Sequence, residues 1–380
     1  MKHALYFIIT YFILFFLPVK IMAIYDPLSV PNNKYGIHII DENDLNDAAN
    51  LVNSTGGDWG YVTFVITEND RDLLKWQTIF DKLSNLHLIP IVRLATHLEN
   101  NSWVKPNIKE AQIWADFLTN LYWVVKNRYI VLFNEPNHAK EWGGSVNPKE
   151  YADICEAFQK SLKEKSSDFF ILPAGLDASA PNSNETMDEK DFLKEIIEYK
   201  NSVLENFDGW TSHSYPNPGF IGNVGQTGKG TLESFKWELS YLKLLGIVRS
   251  FPVFITETGW PHFEGIINDK RYLNSNLVAL NFQKAMESVW NDSEIVAVTP
   301  FLLNYQSFPF ANFSWRKINS NEYYSQYNSY QLFPKTEGKP QFLLIDTNQL
   351  YKSFNLLSDI KMKMTSLKDF FQLNKSPYNI

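Results

Sequence analysis

Residues 129–173 read YIVLFNEPNHAKEWGGSVNPKEYADICEAFQKSLKEKSSDFFILP, and this one stretch spells out a strand, a helix and a second strand. Tyr129–Phe133 is a short apolar run of β-branched and aromatic residues, the pattern of a strand buried on both faces. Asn147-Pro148-Lys149-Glu150 then opens a helix with a cap, a proline at the first helical position and an acid at the third. Tyr151, Ile154, Phe158 and Leu162 follow at helical spacing as its buried stripe, on which Cys155 reads as a small core residue. A second apolar run, Phe169–Pro173, closes the unit. Buried strands joined by a helix-length crossover are expected to lie parallel, since a parallel connection needs that length.

Working outward, similar runs recur at Tyr35–Ile40, Gly60–Ile66, Leu88–Leu94, Gly209–Ser212, Val253–Thr256 and Ile295–Leu303, which makes eight in all. Between them lie segments of helical period, such as Leu73, Leu74, Trp76 and Phe80, or Leu232, Phe235, Leu239, Leu242 and Leu245. The last of these stops before Gly246, where a helix-ending left-handed residue is expected. Eight strand–helix repeats predict an α/β protein with a single (β/α)8 TIM barrel over about residues 30–345. Residues 346–380 read as an irregular C-terminal extension packing on the barrel. An open doubly wound sheet is the alternative, but no Gly-x-Gly-x-x-Gly follows the first strand, so dinucleotide binding has no support.

Composition narrows the chemistry. A 380-residue chain with 44% hydrophobic and 20% charged residues builds a large core and is neither disordered nor repetitive. A formal charge of −7 without a dense Lys/Arg run argues against a nucleic-acid partner, and none is expected. A single cysteine leaves no disulfide framework and no Cys-based metal site, so catalysis falls to oxygen and nitrogen side chains. No cofactor and no metal are expected.

The amino terminus reads as a targeting segment. Met1-Lys2-His3 is a short basic start and Ala4–Leu17 an apolar run close to signal-peptide length, with Ala23 as a cleavage position. Residues 1–23 are therefore expected to be a signal peptide, or a membrane anchor if uncut, and the chain to be secreted or exported to the cell surface as a monomer. Six Asn-x-Ser/Thr sequons, at Asn53, Asn100, Asn184, Asn291, Asn312 and Asn374, are read as chance products of an Asn-rich chain.

In a barrel of this kind the site is assembled from the carboxyl ends of the strands. The fourth run ends Asn134-Glu135-Pro136-Asn137-His138 and the seventh Thr256-Glu257-Thr258-Gly259-Trp260-Pro261, each placing one glutamate at the top of a buried strand. Strands four and seven stand nearly opposite in an eight-strand ring, so the two carboxyls can face each other. With His213-Ser214-Tyr215 after the sixth strand, these motifs resemble clan A of the retaining glycoside hydrolases over about residues 34–320.

That resemblance implies a retaining β-glycosidase acting on a poly- or oligosaccharide, with Glu135 as general acid/base and Glu257 as nucleophile. It further implies that Asn134 holds the sugar 2-hydroxyl, that His213 and Tyr215 orient the carboxylates, and that Trp315 is a stacking platform, with Trp260 also on the substrate. Many relatives carry an arginine at the top of the second strand. Here that strand ends Val65-Ile66-Thr67-Glu68, and Arg93 of the third is assigned to keep Glu257 ionised.

Rival readings stand beside these. A transglycosylating or non-catalytic carbohydrate-binding barrel would carry the same motifs. A metal hydrolase built from Glu135, Glu257, His138 and His213 lacks the usual ligand spacing. His97 and His138 otherwise read as loop residues, and ordinary packing accounts equally well for Trp142, Trp260 and Trp315.

Overall fold

The computed structural model describes residues 24–343. The calls on residues 1–23 and 346–380, and on Asn374, lie outside the described residues. The chain divides into two compact units, residues 1–341 and 342–380. Among the described residues no helix is long and apolar enough to cross a membrane.

The first unit holds the eight expected strands: β1 Gly36–His38, β2 Gly60–Thr67, β3 Leu88–Ala95, β4 Arg128–Leu132, β5 Phe169–Leu172, β6 Trp210–His213, β7 Val253–Glu257 and β8 Ile295–Val298. β1 to β5 form one parallel sheet and β6 to β8 another, each in sequence order. Thinner seams join them. Tyr35 bridges Val298 between β1 and β8, and Asp177 bridges His213 between β5 and β6. Pro173 ends β5 without an amide to donate, and its carbonyl accepts instead from the Thr211 hydroxyl at 2.6 Å. The strands are buried along nearly their whole length, as their unbroken apolar runs require. Inside the ring Tyr129, Phe170 and Phe254 pack with centroids 5.1–5.7 Å apart.

Helices cross over between the strands. The principal ones are α1 Leu45–Val52, α2 Leu73–Asn85, α3 Glu110–Asn120, α4 Pro148–Lys165, α5 Glu189–Lys200, α6 Ser234–Leu244, α7 Ser275–Glu287 and α8 Ser325–Leu332. The start of α4 forms as its sequence dictates: Asn147 Oδ1 accepts from the Glu150 amide at 3.2 Å, with Pro148 at the first helical position. Gly246 beyond α6 takes φ +100°, the conformation a side chain would resist. Two sequon asparagines belong to the framework. Asn53 donates to the carbonyls of Leu86 and His87, and buried Asn312 donates to those of His262 and Ile267.

Two local departures from regular geometry aim the candidate site. A register shift between β6 and β7 pairs Ser212 with Ile255 but His213 with Glu257, leaving Thr256 as the extra residue and setting imidazole beside carboxylate. Beyond β4, Phe133 and Glu135 take φ +74° and +33°, and the Glu135 amide donates to the Gly175 carbonyl past β5. Non-glycine residues with such backbones carry strain that the surrounding contacts must hold.

Candidate active site

Glu135, His213 and Glu257 lie at the carboxyl end of the barrel, with one ligating atom of each within 4.8 Å of the others. Sequence separation is bridged by topology: Glu135 follows β4, His213 ends β6 and Glu257 ends β7. His213 Nδ1 lies 2.7 Å from Glu135 Oε1 and 3.9 Å from Glu257 Oε2. The Tyr215 hydroxyl donates to Glu257 Oε2 at 3.1 Å.

Arg93, from β3, donates through Nη1 to Glu257 Oε1 at 2.5 Å and to Asn134 Oδ1 at 2.7 Å. Asn134 in turn donates through Nδ2 to Glu141 Oε2 at 3.1 Å. The six residues Asn134, Glu135, His213, Tyr215, Glu257 and Arg93 are thus brought together.

The electrostatics of the site keep Glu257 ionised. Burial by itself would raise the Glu257 pKa, but the charges of His213 and Arg93 lead the effects that outweigh it and hold the group down at about 2. Burial and the Glu257 charge push Tyr215 well above its ordinary value, so it stays a donor. Burial opposes the charged form of His213 as well, yet Glu257 and Glu135 keep its pKa raised. At Glu141, burial and then the Glu135 charge lift the carboxyl to about 7.

Two expected contacts are corrected. Trp315 is only 1% exposed, with its ring against Phe282 and Tyr330 at 5.0 and 5.2 Å, so it belongs to the core and has no free face for a sugar. Trp260 is 2% exposed, donates from its indole nitrogen to the Gly222 carbonyl, and packs against Phe282 and Trp290. Trp142 is likewise core, against Phe133 and Tyr151. Indole is large and apolar enough that tight packing competes with any surface role.

The four-residue metal set is not assembled either. His138 Nε2 turns to Asp177 Oδ2 at 2.9 Å. The remaining trio could reach one ion, but the Arg93 guanidinium already places a positive charge against Glu257, where a cation would be repelled. His97 pairs with Glu68 at the rim.

Two neighbours of the constellation carried little sequence signal. His38 ends β1 with Nδ1 3.8 Å from Glu257 Oε1, and burial holds it neutral, with a pKa of about 3. Its only mark was a polar residue inside an apolar run. Glu141 follows Asn134 by seven residues in an irregular segment, where no periodicity says which way a side chain faces.

Comparison with solved structures finds this fold among (β/α)8 glycoside hydrolases of clan A. A glucosidase from Croceicoccus marinus superposes with a TM-score of 0.57 at 9% identity, covering 80% of this chain and 68% of that one. A monomeric beta-xylosidase from Caulobacter crescentus CB15 does so at 0.55 and 12%, covering 80% and 68%. A GH39 enzyme from Xanthomonas axonopodis pv. citri gives 0.51 and 13%, covering 83% and 71%. No protein-family model and no curated protein matches the chain by sequence.

Proposed function

We propose that this chain, whose barrel is that of the clan A glycoside hydrolases, is a retaining β-glycosidase that cleaves O-glycosidic bonds of a poly- or oligosaccharide by double displacement. The observation that carries the reading is the spacing of Glu135 and Glu257, whose nearest carboxylate oxygens lie no more than 4.8 Å apart. Retention requires carboxyls roughly 5–5.5 Å apart, whereas inversion needs about 6.5–9.5 Å to admit a water between them.

In this reading Glu257, held ionised by Arg93 and His213, attacks the anomeric carbon and forms a glycosyl–enzyme ester. Glu135 gives a proton to the departing oxygen, then takes one from the water that opens the ester. His213 bridges the two groups and can follow the change of charge on Glu135. Tyr215 holds the second oxygen of Glu257 in line. Asn134, its carbonyl end fixed by Arg93, faces the sugar 2-hydroxyl with its amide. The substrate is a carbohydrate, and the basic-then-apolar start of the chain supports export to the cell surface.

Substitution of the two acids tests the assignment. Glu257→Ala abolishes hydrolysis of every glycoside. Glu135→Ala slows substrates with poor leaving groups far more than activated aryl glycosides, and azide restores turnover of the latter. Equal loss on both substrate types in Glu135→Ala would remove Glu135 from the acid role. A carbohydrate-binding barrel would instead bind oligosaccharide without turnover, and a transglycosylase would yield longer products.

A further inference from the structure

On the face of β6 opposite His213, α6 carries a carboxyl that the chemistry above does not use. Glu238 is buried; its Oε2 accepts from Trp210 Nε1 at 2.6 Å and its Oε1 from Ser212 Oγ at 2.7 Å. Ser212 Oγ in turn lies 2.7 Å from Ser214 Oγ, and the Ser214 carbonyl accepts from the Thr258 hydroxyl, just past β7, also at 2.7 Å. Both serines are fully buried. Glu189 of α5 is near enough to sense this carboxyl. Burial and then the Glu238 charge raise Glu189 well above the ordinary range, and its Oε2 has no hydrogen-bond partner among the described residues.

A buried carboxyl is costly unless its oxygens are hydrogen-bonded, so the two donors on β6 are held firmly. Their placement matters because side chains alternate along a strand. Trp210, Ser212 and Ser214 are tied on one face, while His213 and Tyr215 on the other meet Glu135 and Glu257. The tie falls where β6 loses its regular register with β7, between Ser212 and His213. A ladder is disrupted at such a point, because the extra residue goes unpaired. Bonds from α6 and from Thr258 therefore fix the chain on both sides of His213 where the ladder does so least.

We propose that Glu238 is a positioning residue for the reaction: by holding Ser212, and through it Ser214, it aims the His213 imidazole at Glu135 and Glu257. It touches no substrate, and this inference rests on the glycosidase reading. The grip does not require a charge. A protonated carboxyl can donate to the Ser212 oxygen, whose own proton then goes to Ser214, so the chain of bonds persists in either state.

The test compares kcat and KM on an aryl β-glycoside and a β-linked disaccharide, together with the imidazole nitrogen signals of protein carrying isotope-labelled histidine. Glu238→Ala should lower kcat about ten-fold with KM within about two-fold, and should move the His213 signal. Ser212→Ala cuts the same chain of bonds at its middle and should act in the same direction, less strongly. Glu238→Gln keeps an acceptor for Trp210 and a donor for Ser212, so it should stay close to the wild type in both readouts. Leu244→Ala, at the exposed end of α6, controls for loss of a helix side chain and should change neither. A merely structural role would lower the Tm of Glu238→Ala yet leave kcat and the His213 signal of the folded protein as in the wild type, which overturns the proposal. Equal losses in Glu238→Gln and Glu238→Ala overturn it too. Where Glu238→Ala does not fold, wild-type kcat and an unmoved His213 signal in Ser212→Ala overturn it instead. A wild type that cleaves neither substrate contradicts the glycosidase reading itself, and the His213 signal then still decides the positioning.

Discussion

Arg93 Nη1 lies 2.5 Å from Glu257 Oε1, although 164 residues separate the two in the chain. Together with the His213 charge, the contact lets a carboxylate remain ionised in a site that burial would otherwise neutralise. Arg93→Ala should lower kcat about 10²- to 10³-fold, the usual effect of removing one fixed donor from a developing or stored charge. The pH profile distinguishes this from damage to the fold. With the nucleophile no longer held at about 2, the acidic limb of kcat/KM should move up toward the ordinary carboxylate range. An unmoved limb would mean that Arg93 does not set the ionisation of Glu257.

Gly175 makes a second, purely steric prediction. A β-carbon there would come within 2.2 Å of His213 Cδ2 and 2.5 Å of Nε2, a clash with the ring, while the Gly175 carbonyl holds the Glu135 amide. Gly175→Ala should therefore displace both His213 and Glu135 and cost activity out of proportion to stability. Kinetics together with thermal unfolding check it: a large fall in kcat with Tm shifted by only a few degrees is expected.

Glu141 should reveal itself in the alkaline limb. Its carboxyl titrates near 7 and is faced by Asn134, Glu135, Arg93, Glu257 and His138. Above that pH its new negative charge favours the protonated state of neighbouring acids. Glu141→Gln keeps an acceptor for Asn134 but removes the charge, so the alkaline limb of kcat/KM should shift to lower pH, with kcat at the optimum nearly preserved. Glu141→Ala should also lower kcat, by releasing Asn134.

Much of this arrangement was legible from apolar runs. The strands at Tyr129–Phe133, Phe169–Pro173 and Val253–Thr256 were fixed by burial on both faces, which allows no other pattern, and polar residues at their ends stood out against it. Arg93 could be read because a charge inside a buried strand demands a partner. Trp315 could not, because a tryptophan after β8 looks the same in sequence whether it faces a cleft or, as here, Phe282 and Tyr330. Glu141 stayed hidden because it lies on a long connection between strand and helix, where side-chain direction follows from tertiary contacts such as that with Asn134.

Stability adds a prediction away from the site. Glu238 of α6 is buried and accepts from Trp210 Nε1 and Ser212 Oγ at 2.6 and 2.7 Å, and burial raises its pKa from 4.5 to about 7. A carboxyl whose folded pKa is raised contributes stability that is complete below its unfolded pKa and is lost as pH rises through the folded one. The loss from this group falls between about pH 4.5 and 7. Glu238→Gln should consequently show a flatter decline of unfolding free energy over that range than the wild type, measured by urea titration. Parallel declines would contradict the assignment.

The most direct measurement for the account as a whole is the anomeric configuration of the first sugar released from a β-glycoside, followed by proton NMR before mutarotation sets in. Two carboxyls this close leave no room for a water between enzyme and ring, so the product should appear first as the β-anomer. Initial appearance of the α-anomer would mean a single inverting displacement, and the roles given to Glu135 and Glu257 would be wrong.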